Sequence, residues 1–209
     1  MNLIFDVDGT LWDTTEVVSK AWQRAVDETD YSNATLTADQ LKGEFGKPMD
    51  VIAQNIFPDV PSKEDRDKLI ELCCEYEEAT LNNMTMEEID KILFDGVRET
   101  LVKLKDEHDL FIVSNCQKGY IELFLDKSGL GYLFKDFLCF GDTNAPKGIT
   151  IKQLMNNNRL LEKHTLYIGD TNGDYQATLL AVIPFVFCKY GFGEVTGAPY
   201  EIDKLSELI

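Results

Sequence analysis

The stretch Asn2-Leu3-Ile4-Phe5-Asp6-Val7-Asp8-Gly9-Thr10-Leu11, at the start of the chain, decides the fold. Residues 3–5 form a continuous apolar run, which predicts a short and fully buried strand. Asp6 then lies at the carboxyl end of this strand, where open α/β sheets bind their ligands. Gly9 lets the chain turn sharply just beyond, because glycine tolerates positive φ angles. The stretch therefore predicts a strand whose end carries a ligand site.

Asp6 and Asp8 are two positions apart, so their side chains share one side of an extended segment. Neighbouring carboxylates repel each other unless a cation joins them, and hard divalent cations prefer carboxylate oxygens. Taken alone, the motif also fits an acidic turn that closes a strand, since Asp and Gly are ordinary turn residues. The segments further along the chain favour the metal site.

The composition is that of a soluble globular protein, with 209 residues of which 44% are hydrophobic and 27% charged. This length allows one large domain or two modest ones. The net charge of −17 disfavours nucleic acid and anionic membranes as partners. The five cysteines form no CxxC pair, and neither a signal peptide nor a membrane-spanning run is visible. We therefore expect reduced thiols and a cytoplasmic location.

The region from residue 14 to residue 93 shows helical periodicity and no strand pattern. Helices are predicted at residues 16–30, 51–57 and 63–81, with a capping box at Thr37-Ala38-Asp39-Gln40. A helical run of about eighty residues between two strands far exceeds an ordinary βα connection. The region is therefore predicted to be an inserted helical cap.

From residue 94 onward, predicted strands alternate with predicted helices. The strands are expected at residues 109–113, 137–140, 165–168 and 185–188, and the helices at 96–105, 118–127, 150–157, 175–181 and 201–208. This alternation predicts right-handed crossovers and a parallel sheet. The predicted fold class is α/β, with a Rossmann-like parallel sheet core formed by residues 1–13 and 94–209 and an α-helical cap formed by residues 14–93.

Polar residues follow three of the predicted strands directly, and a lysine opens the helix before the last of these strands. The residues concerned are Asp6 and Asp8, Ser114 and Asn115, Asp170 and Asp174, and Lys147. In a parallel sheet these groups can converge at one edge. Together they supply carboxylates, a hydroxyl and an ammonium, which is the set that phosphoryl transfer needs for positioning and electrostatic stabilisation.

With these motifs in this order, the chain resembles the haloacid dehalogenase (HAD) superfamily, in its phosphatase branch with a helical cap after the first strand. The DxDGT motif of the family stands here as Asp6-Val7-Asp8-Gly9-Thr10, and its GDxxxD motif as Gly169-Asp170-Thr171-Asn172-Gly173-Asp174. Its strand ending in Ser or Thr matches Ser114, and its lysine matches Lys147. Residues 94–101 also resemble the family's return from cap to core, so the resemblance covers essentially the whole chain.

The resemblance implies a catalytic pair and a metal ion. Asp6 would attack phosphorus and carry the aspartyl-phosphate, while Asp8 would protonate the leaving group and then deprotonate water. The implied cofactor is Mg²⁺, held by a carboxylate oxygen of Asp6, the backbone carbonyl of Asp8 and Asp170, with Asp174 supporting it directly or through water. Asp142 is a competing acid for this metal site.

The resemblance also implies how phosphate is held. Ser114, the Asn115 amide and Lys147 would bind phosphoryl oxygens, and Thr10 would buttress the loop. Lys152 is a nearby competitor for the role of Lys147. The proline that often follows this lysine in the family precedes it here.

The resemblance favours a Mg²⁺-dependent phosphatase that hydrolyses a small phosphate monoester, with a small phosphorylated metabolite as its partner. A phosphomutase of the same superfamily is the alternative enzyme, although Val18 stands where such sugar-phosphate mutases usually carry a histidine. A receiver-like phospho-accepting module would lack the acid–base group of Asp8. A fold kept only for protein binding would not need intact motifs.

The substrate's leaving group is expected to meet Trp12 and the loop of residues 43–48, chiefly Gly46 and Lys47. This loop combines glycines, a cation and an aromatic residue in an otherwise acidic helical region. An ordinary turn between helices explains the same residues. Phosphoglycolate, sugar phosphates, nucleoside monophosphates and pyrophosphate are all compatible with the motifs.

Overall fold

A computed structural model describes all residues from 1 to 209 and contains one sheet of six parallel strands. The strands are β1 (Asn2–Phe5), β2 (Asp109–Ser114), β3 (Phe134–Cys139), β4 (Thr165–Gly169), β5 (Phe185–Cys188) and β6 (Tyr200–Ile202). Their order across the sheet is β3-β2-β1-β4-β5-β6, and every neighbouring pair is parallel. The predicted α/β fold class with a parallel sheet is confirmed.

Strand β1 lies in the middle of the sheet because both of its faces are apolar. Leu3 and Phe5 pack into one hydrophobic cluster, and Ile4 packs into a second cluster on the opposite face. Going outward from β1, the strand order runs one way to β2 and the other way to β4, which makes the β1/β4 boundary a topological switch point. The crevice beyond the carboxyl ends of such strands is the ligand site of open α/β sheets.

Helices cover both faces of the sheet. On the face of Leu3 and Phe5 lie α6 (Val97–Glu107) and α7 (Tyr120–Ser128), and on the other face lie α9 (Lys147–Asn158) and α10 (Asn172–Ala181). This two-faced burial explains why the strands are short apolar runs rather than alternating ones.

Five helices lie between β1 and α6, and no strand interrupts them. They are α1 (Thr15–Asp27), α2 (Ala38–Glu44), α3 (Met49–Ile56), α4 (Lys63–Asn83) and α5 (Met86–Ile92). Fourteen buried residues between Val18 and Cys73 form a hydrophobic cluster of their own. The capping box at Thr37 and Gln40 is present. Leu81 and Ile89 instead pack into the cluster of the sheet, so the end of α4 and α5 rest on the core.

The predicted final helix at residues 201–208 is wrong. Its first part is the edge strand β6, and only Leu205–Leu208 form a short 3₁₀ turn. The backbone of this segment pairs with β5, and Lys189 N donates to Ile202 O at 2.9 Å. The unpaired edge of β5 thus offers hydrogen bonds that outweigh a short helical pattern.

The third strand is also shifted from its predicted position, because it ends at Cys139 rather than at Phe140. Phe140–Thr143 form the four-residue helix α8. The Asp142 carboxylate accepts a hydrogen bond from the Cys139 backbone N at 3.2 Å, which closes the helical turn. Considered over the whole chain, none of the helices has the length and apolarity that spanning a membrane requires.

Candidate active site

Asp6 follows β1 directly at the switch point of the sheet. Its backbone N still donates to Ile168 O of β4 at 2.9 Å, so the residue is held by the strand ladder. Its side chain is buried, with 1% of its surface exposed. Burial raises the pKa of Asp6 to about 7, although the charge of Lys147 opposes the shift. The sheet therefore presents a rigid, desolvated carboxyl group at its edge.

Lys147 is the cation that faces Asp6. It is the first residue of α9, is itself buried, and donates to Asp6 Oδ2 at 2.8 Å and to Asp174 Oδ1 at 2.6 Å. Burial alone would lower the pKa of Lys147, but the charges of the two carboxylates hold it above its ordinary value. The competing Lys152 makes no ion pair.

Asp170 and Asp174 follow β4 and complete an acidic cluster. Asp170 accepts hydrogen bonds from Thr10 Oγ1 at 3.1 Å and from Phe192 N at 2.8 Å. Thr171 holds Asp174 through its backbone N at 3.0 Å and its hydroxyl at 2.7 Å. Burial raises the pKa of Asp170 well above its usual value. Burial acts in the same direction on Asp174, but the charge of Lys147 and the hydrogen bonds from Lys147 and Thr171 outweigh it, so the pKa of Asp174 is below its usual value.

The cluster has the features of a cation site. Carboxylate oxygens of Asp6, Asp170 and Asp174 lie within 4.8 Å of one another, and a single ammonium opposes these three acids. Asp6 Oδ1 is the buried side-chain oxygen without a hydrogen-bond partner. Hard oxygen donors around an unsatisfied carboxylate oxygen fit Mg²⁺.

Gly9 and Gly191 let the backbone come close to Asp170. Gly9 has a φ of 78°, and a Cβ added to it would lie 2.1 Å from Asp170 Oδ2. A Cβ at Gly191 would lie 2.2 Å from Asp170 Cβ. Asp142, by contrast, lies away from this cluster, with Lys118 at 3.8 Å.

Asp8 has surroundings quite different from those of Asp6. Its Oδ1 accepts hydrogen bonds from Trp12 Nε1 at 3.0 Å and from Tyr120 OH at 2.7 Å. Burial raises the pKa of Asp8 to about 6, and these two hydrogen bonds limit the rise. Its carboxyl group is not one of the three that form the acidic cluster. The metal contact through the backbone carbonyl of Asp8 stays a prediction.

The expectation that Trp12 faces the leaving group is wrong. Its side chain is fully buried and packs edge-on against Phe124 and Tyr120, with ring centroids at 4.9 and 5.7 Å. The indole lies behind Asp8 because its large apolar surface is covered by the core while its N–H reaches the carboxylate. Trp12 therefore orients the Asp8 carboxyl group from within the hydrophobic core.

Ser114 and Asn115, at the end of β2, line the same cavity as Asp8. Ser114 is buried, and Asn115 Nδ2 donates to the backbone O of Gly46 at 2.7 Å. The loop of residues 43–48 thus reaches the sheet edge. Lys47 also lines this cavity, with its ammonium 2.9 Å from Glu44 Oε2.

The cavity between the loop and the sheet edge has a volume of about 30 Å³, roughly the space of one or two waters. Its helical side is formed by Trp22, Phe45, Met49, Ile52 and Glu77. Glu77 and Tyr120 were missed by sequence reasoning. Neither belongs to a motif, and nothing in the local pattern of α4 or α7 distinguishes them.

Known proteins resemble this chain over most of its length. A family model described as haloacid dehalogenase-like hydrolase matches residues 3–188. The phosphoglycolate phosphatase of Colwellia psychrerythraea is 26% identical over 91% of this chain and 84% of its own length. That of Photobacterium profundum is 24% identical over 99% of this chain and 93% of its own.

Solved structures share the fold over nearly the whole chain. The crystal structure of a predicted phosphoglycolate phosphatase from Haemophilus somnus has a TM-score of 0.85 at 20% identity, covering 99% of this chain and 95% of that one. A haloacid dehalogenase-like family hydrolase from Streptococcus pneumoniae has a TM-score of 0.82 at 20% identity, with the same coverage of the two chains.

Proposed function

The chain belongs to the haloacid dehalogenase-like hydrolases, and we propose that it is a Mg²⁺-dependent phosphatase that hydrolyses a small phosphate monoester through an aspartyl-phosphate. The proposal rests on one observation about the two carboxylate oxygens of Asp6. Asp6 has one oxygen held by Lys147 at 2.8 Å and a second buried oxygen with no hydrogen-bond partner, which is available as a nucleophile or metal ligand. The curated relatives that bear the name phosphoglycolate phosphatase support the same reaction class.

In the first step, Asp6 forms a bond to phosphorus while the bond from phosphorus to the leaving oxygen breaks. Asp8 transfers its proton to that oxygen, and the alcohol departs. In the second step, Asp8 takes a proton from water, whose oxygen attacks phosphorus and releases Asp6 and inorganic phosphate. The raised pKa of Asp8, about 6, suits a group that must both give and accept a proton near neutrality.

The transferred phosphoryl group would be held by Ser114, the Asn115 amide and the ammonium of Lys147. Thr10 would keep Asp170 in place through its 3.1 Å hydrogen bond. Mg²⁺ would be held by Asp6, the backbone carbonyl of Asp8, Asp170 and, directly or through water, Asp174, and when bound it supplies positive charge to the phosphoryl oxygens.

We propose that residues 14–93 act as a cap that opens to admit the substrate. The cavity of about 30 Å³ is smaller than a phosphate ester, so entry requires the loop of residues 43–48 to move. The single hydrogen bond from Asn115 to Gly46 ties this loop to the sheet edge and is easily broken. Closure would then exclude water from the site. We place the enzyme in the cytoplasm, in keeping with its five free thiols.

Phosphate release from a panel of phosphorylated metabolites and p-nitrophenyl phosphate, with Mg²⁺, tests this function. Asp6→Asn should lower release by roughly a thousandfold or more, because the amide is a poor nucleophile. Asp126→Asn, an exposed change of the same kind on α7, should leave it unaltered. Equal release by wild type and Asp6→Asn would contradict the assignment. A stable phosphoprotein without turnover would point to a receiver-like module, and isomerised product without free phosphate to a mutase.

A further inference from the structure

Glu77 is a buried acid of the helical segment that the proposed reaction does not use. It lies on α4 with 4% of its surface exposed, and it forms part of the cavity wall opposite the sheet edge. Its Oε2 accepts a hydrogen bond from Trp22 Nε1 at 2.8 Å, and this is the one hydrogen bond that its side chain makes. Burial raises the pKa of Glu77 to about 8, although the indole hydrogen bond opposes the shift.

Packing alone does not explain a glutamate at this position. The other buried residues of α4 are Leu69, Ile70, Cys73 and Leu81, all of which are apolar. Burying a carboxyl group with one neutral partner is unfavourable. Oε1 accepts no hydrogen bond from the protein and keeps some access to the cavity, because Asp6 Oδ1 is the one fully buried side-chain oxygen without a partner. A ligand that brings a donor into the cavity would remove this penalty.

Glu77 shares the cavity with the groups that would surround the leaving alcohol. The proposed acid Asp8 and the phosphate-binding Ser114 and Asn115 form one wall, and Glu77 is on the helical side. An ester bound at Asp6 with its leaving oxygen near Asp8 would therefore extend towards Glu77. The rings of Trp22 and Phe45 also line this space.

The charges around the cavity do not suit a carboxylate-bearing leaving group. Lys47 is the cation in its lining, and its ammonium is already paired with Glu44 at 2.9 Å, with 41% of the side chain exposed. A second cavity of about 200 Å³ shares Glu77, Gln117 and Tyr120 with the first. Its remaining acidic lining consists of Glu71, Glu75 and Glu78, against the single cation Lys118. Both cavities therefore favour positive charge.

We propose that Glu77 determines specificity for the leaving group, and that the substrate is a phosphate monoester whose alcohol carries a protonated amine. The ammonium donates to the unpaired oxygen of Glu77, and its positive charge favours the ionised form of this carboxyl group. The surrounding aromatic rings favour a cation further. A carboxylate at the same place would face a buried acid with no free cation beside it. This inference rests on the proposed phosphatase function and names the class of its substrate.

Three phosphate esters of equal length differ only in the group at the end of the leaving alcohol, and so test which charge the site prefers. They are O-phosphoethanolamine with an ammonium, ethylene glycol monophosphate with a hydroxyl, and phosphoglycolate with a carboxylate. The wild-type protein with Mg²⁺ should show a kcat/KM for phosphoethanolamine at least tenfold above that for phosphoglycolate. Glu77→Gln keeps the shape of the side chain and should lower kcat/KM for phosphoethanolamine at least tenfold. The hydroxyl ester should change less than threefold, and phosphoglycolate should not become worse.

The matched control is Glu64→Gln, which removes a charge from the first turn of the same helix, outside both cavities. It should leave all three values unchanged. Glu77→Asp, which keeps the charge on a shorter stem, should retain part of the preference if Glu77→Gln does not fold. A wild-type preference for phosphoglycolate, or an equal loss on all three esters in Glu77→Gln, would overturn the inference.

The inference and the proposed function fail in distinguishable ways. Asp6-dependent hydrolysis of p-nitrophenyl phosphate together with no preference among the three esters would overturn the role of Glu77 alone. No Asp6-dependent hydrolysis of any ester would overturn the phosphatase function and the role of Glu77 with it.

Discussion

The acids at the sheet edge and the acid on α4 are all buried but are stabilised in different ways. Asp6 and Asp174 share the ammonium of Lys147 at 2.8 and 2.6 Å, and Asp174 receives two more hydrogen bonds from Thr171. Glu77 has only the indole N–H of Trp22. The sheet edge is therefore organised before any substrate arrives, whereas the helical side leaves an oxygen for the substrate to satisfy. In this hydrolase the core would determine the reaction and the helical segment the choice of alcohol.

The largest effect is expected when the ammonium of Lys147 is removed from the sheet edge. Lys147→Met should lower the free energy of unfolding by about 3–5 kcal/mol, because it leaves Asp6 and Asp174 buried without a counter-charge. Urea denaturation measures the loss. Mg²⁺ should restore part of the lost stability, since it would supply charge to the same oxygens.

Lys152→Met is the matched control for that change, because Lys152 lies on the same helix and makes no ion pair. It should alter the free energy of unfolding by less than about 0.5 kcal/mol. A Lys147→Met protein as stable as the wild type would mean that the edge is not organised by its cation.

The second prediction concerns Glu77 and the dependence of stability on pH. The Glu77 carboxyl group has a pKa of about 8 in the folded protein, against 4.5 for the ordinary group. The folded protein therefore keeps this proton up to a higher pH than the unfolded chain does. Below pH 4.5 both states are protonated, and the difference between wild type and Glu77→Gln should be constant. Between pH 4.5 and about 8 the wild type should lose up to about 1.4 kcal/mol per pH unit relative to Glu77→Gln.

Denaturation of both proteins at a series of pH values measures this difference, and any constant packing effect of glutamine cancels in the slope. A flat difference across the range would show that Glu77 is solvated or paired, and the contrast with the sheet edge would disappear.

The hydrogen bond from Tyr120 is expected to lower the pKa of Asp8. Tyr120→Phe removes the largest of the hydrogen bonds that lower this pKa, now about 6, so the pKa should rise by about one unit. Asp8 must be protonated to assist the leaving group, so kcat/KM falls as the pH rises through its pKa. The alkaline limb of the profile should therefore move to higher pH in Tyr120→Phe. Tyr175→Phe, whose hydroxyl bonds Gly197, should not move it.

The smallest effect is expected in the loop. Lys47→Ala removes a half-exposed ion pair with Glu44, a type of interaction worth about 0.2–1 kcal/mol. KM for the true substrate should rise by roughly twofold to fivefold, while hydrolysis of p-nitrophenyl phosphate should stay nearly the same. Lys20→Ala, which breaks an exposed pair with Glu16, should change neither value. An unchanged KM in Lys47→Ala would remove the loop from substrate selection.

The parts of the site that could be predicted follow strands directly. Asp6 and Asp170 come after short apolar runs, and parallel strands bring their carboxyl ends to one edge of the sheet. Lys147 was predicted to open its helix, and it does so. These positions depend on the local pattern and on a general rule of sheet topology, so the linear sequence contains the information.

The parts that could not be predicted depend on contacts between distant segments. Trp12 was expected at the substrate and is instead packed behind Asp8, because Phe124 and Tyr120 cover its ring. The segment after residue 199 pairs with β5 as β6 although its apolar spacing suggested a helix. In each case the partner comes from another part of the chain and supplies contacts that the local pattern does not reveal.

By itself the sequence determined the parallel α/β core, the inserted helices and the acids and lysine of the sheet edge, since hydrophobic periodicity and strand ends are local properties. Only the tertiary structure decided which oxygen of Asp6 is left without a partner, that Tyr120 and Trp12 hold Asp8, and that Glu77 reaches the cavity. These features depend on burial and on hydrogen bonds across long chain separations, such as the 112 residues between Asp8 and Tyr120. Folding alone brings such groups within bonding distance and removes the water that would otherwise mask their charge.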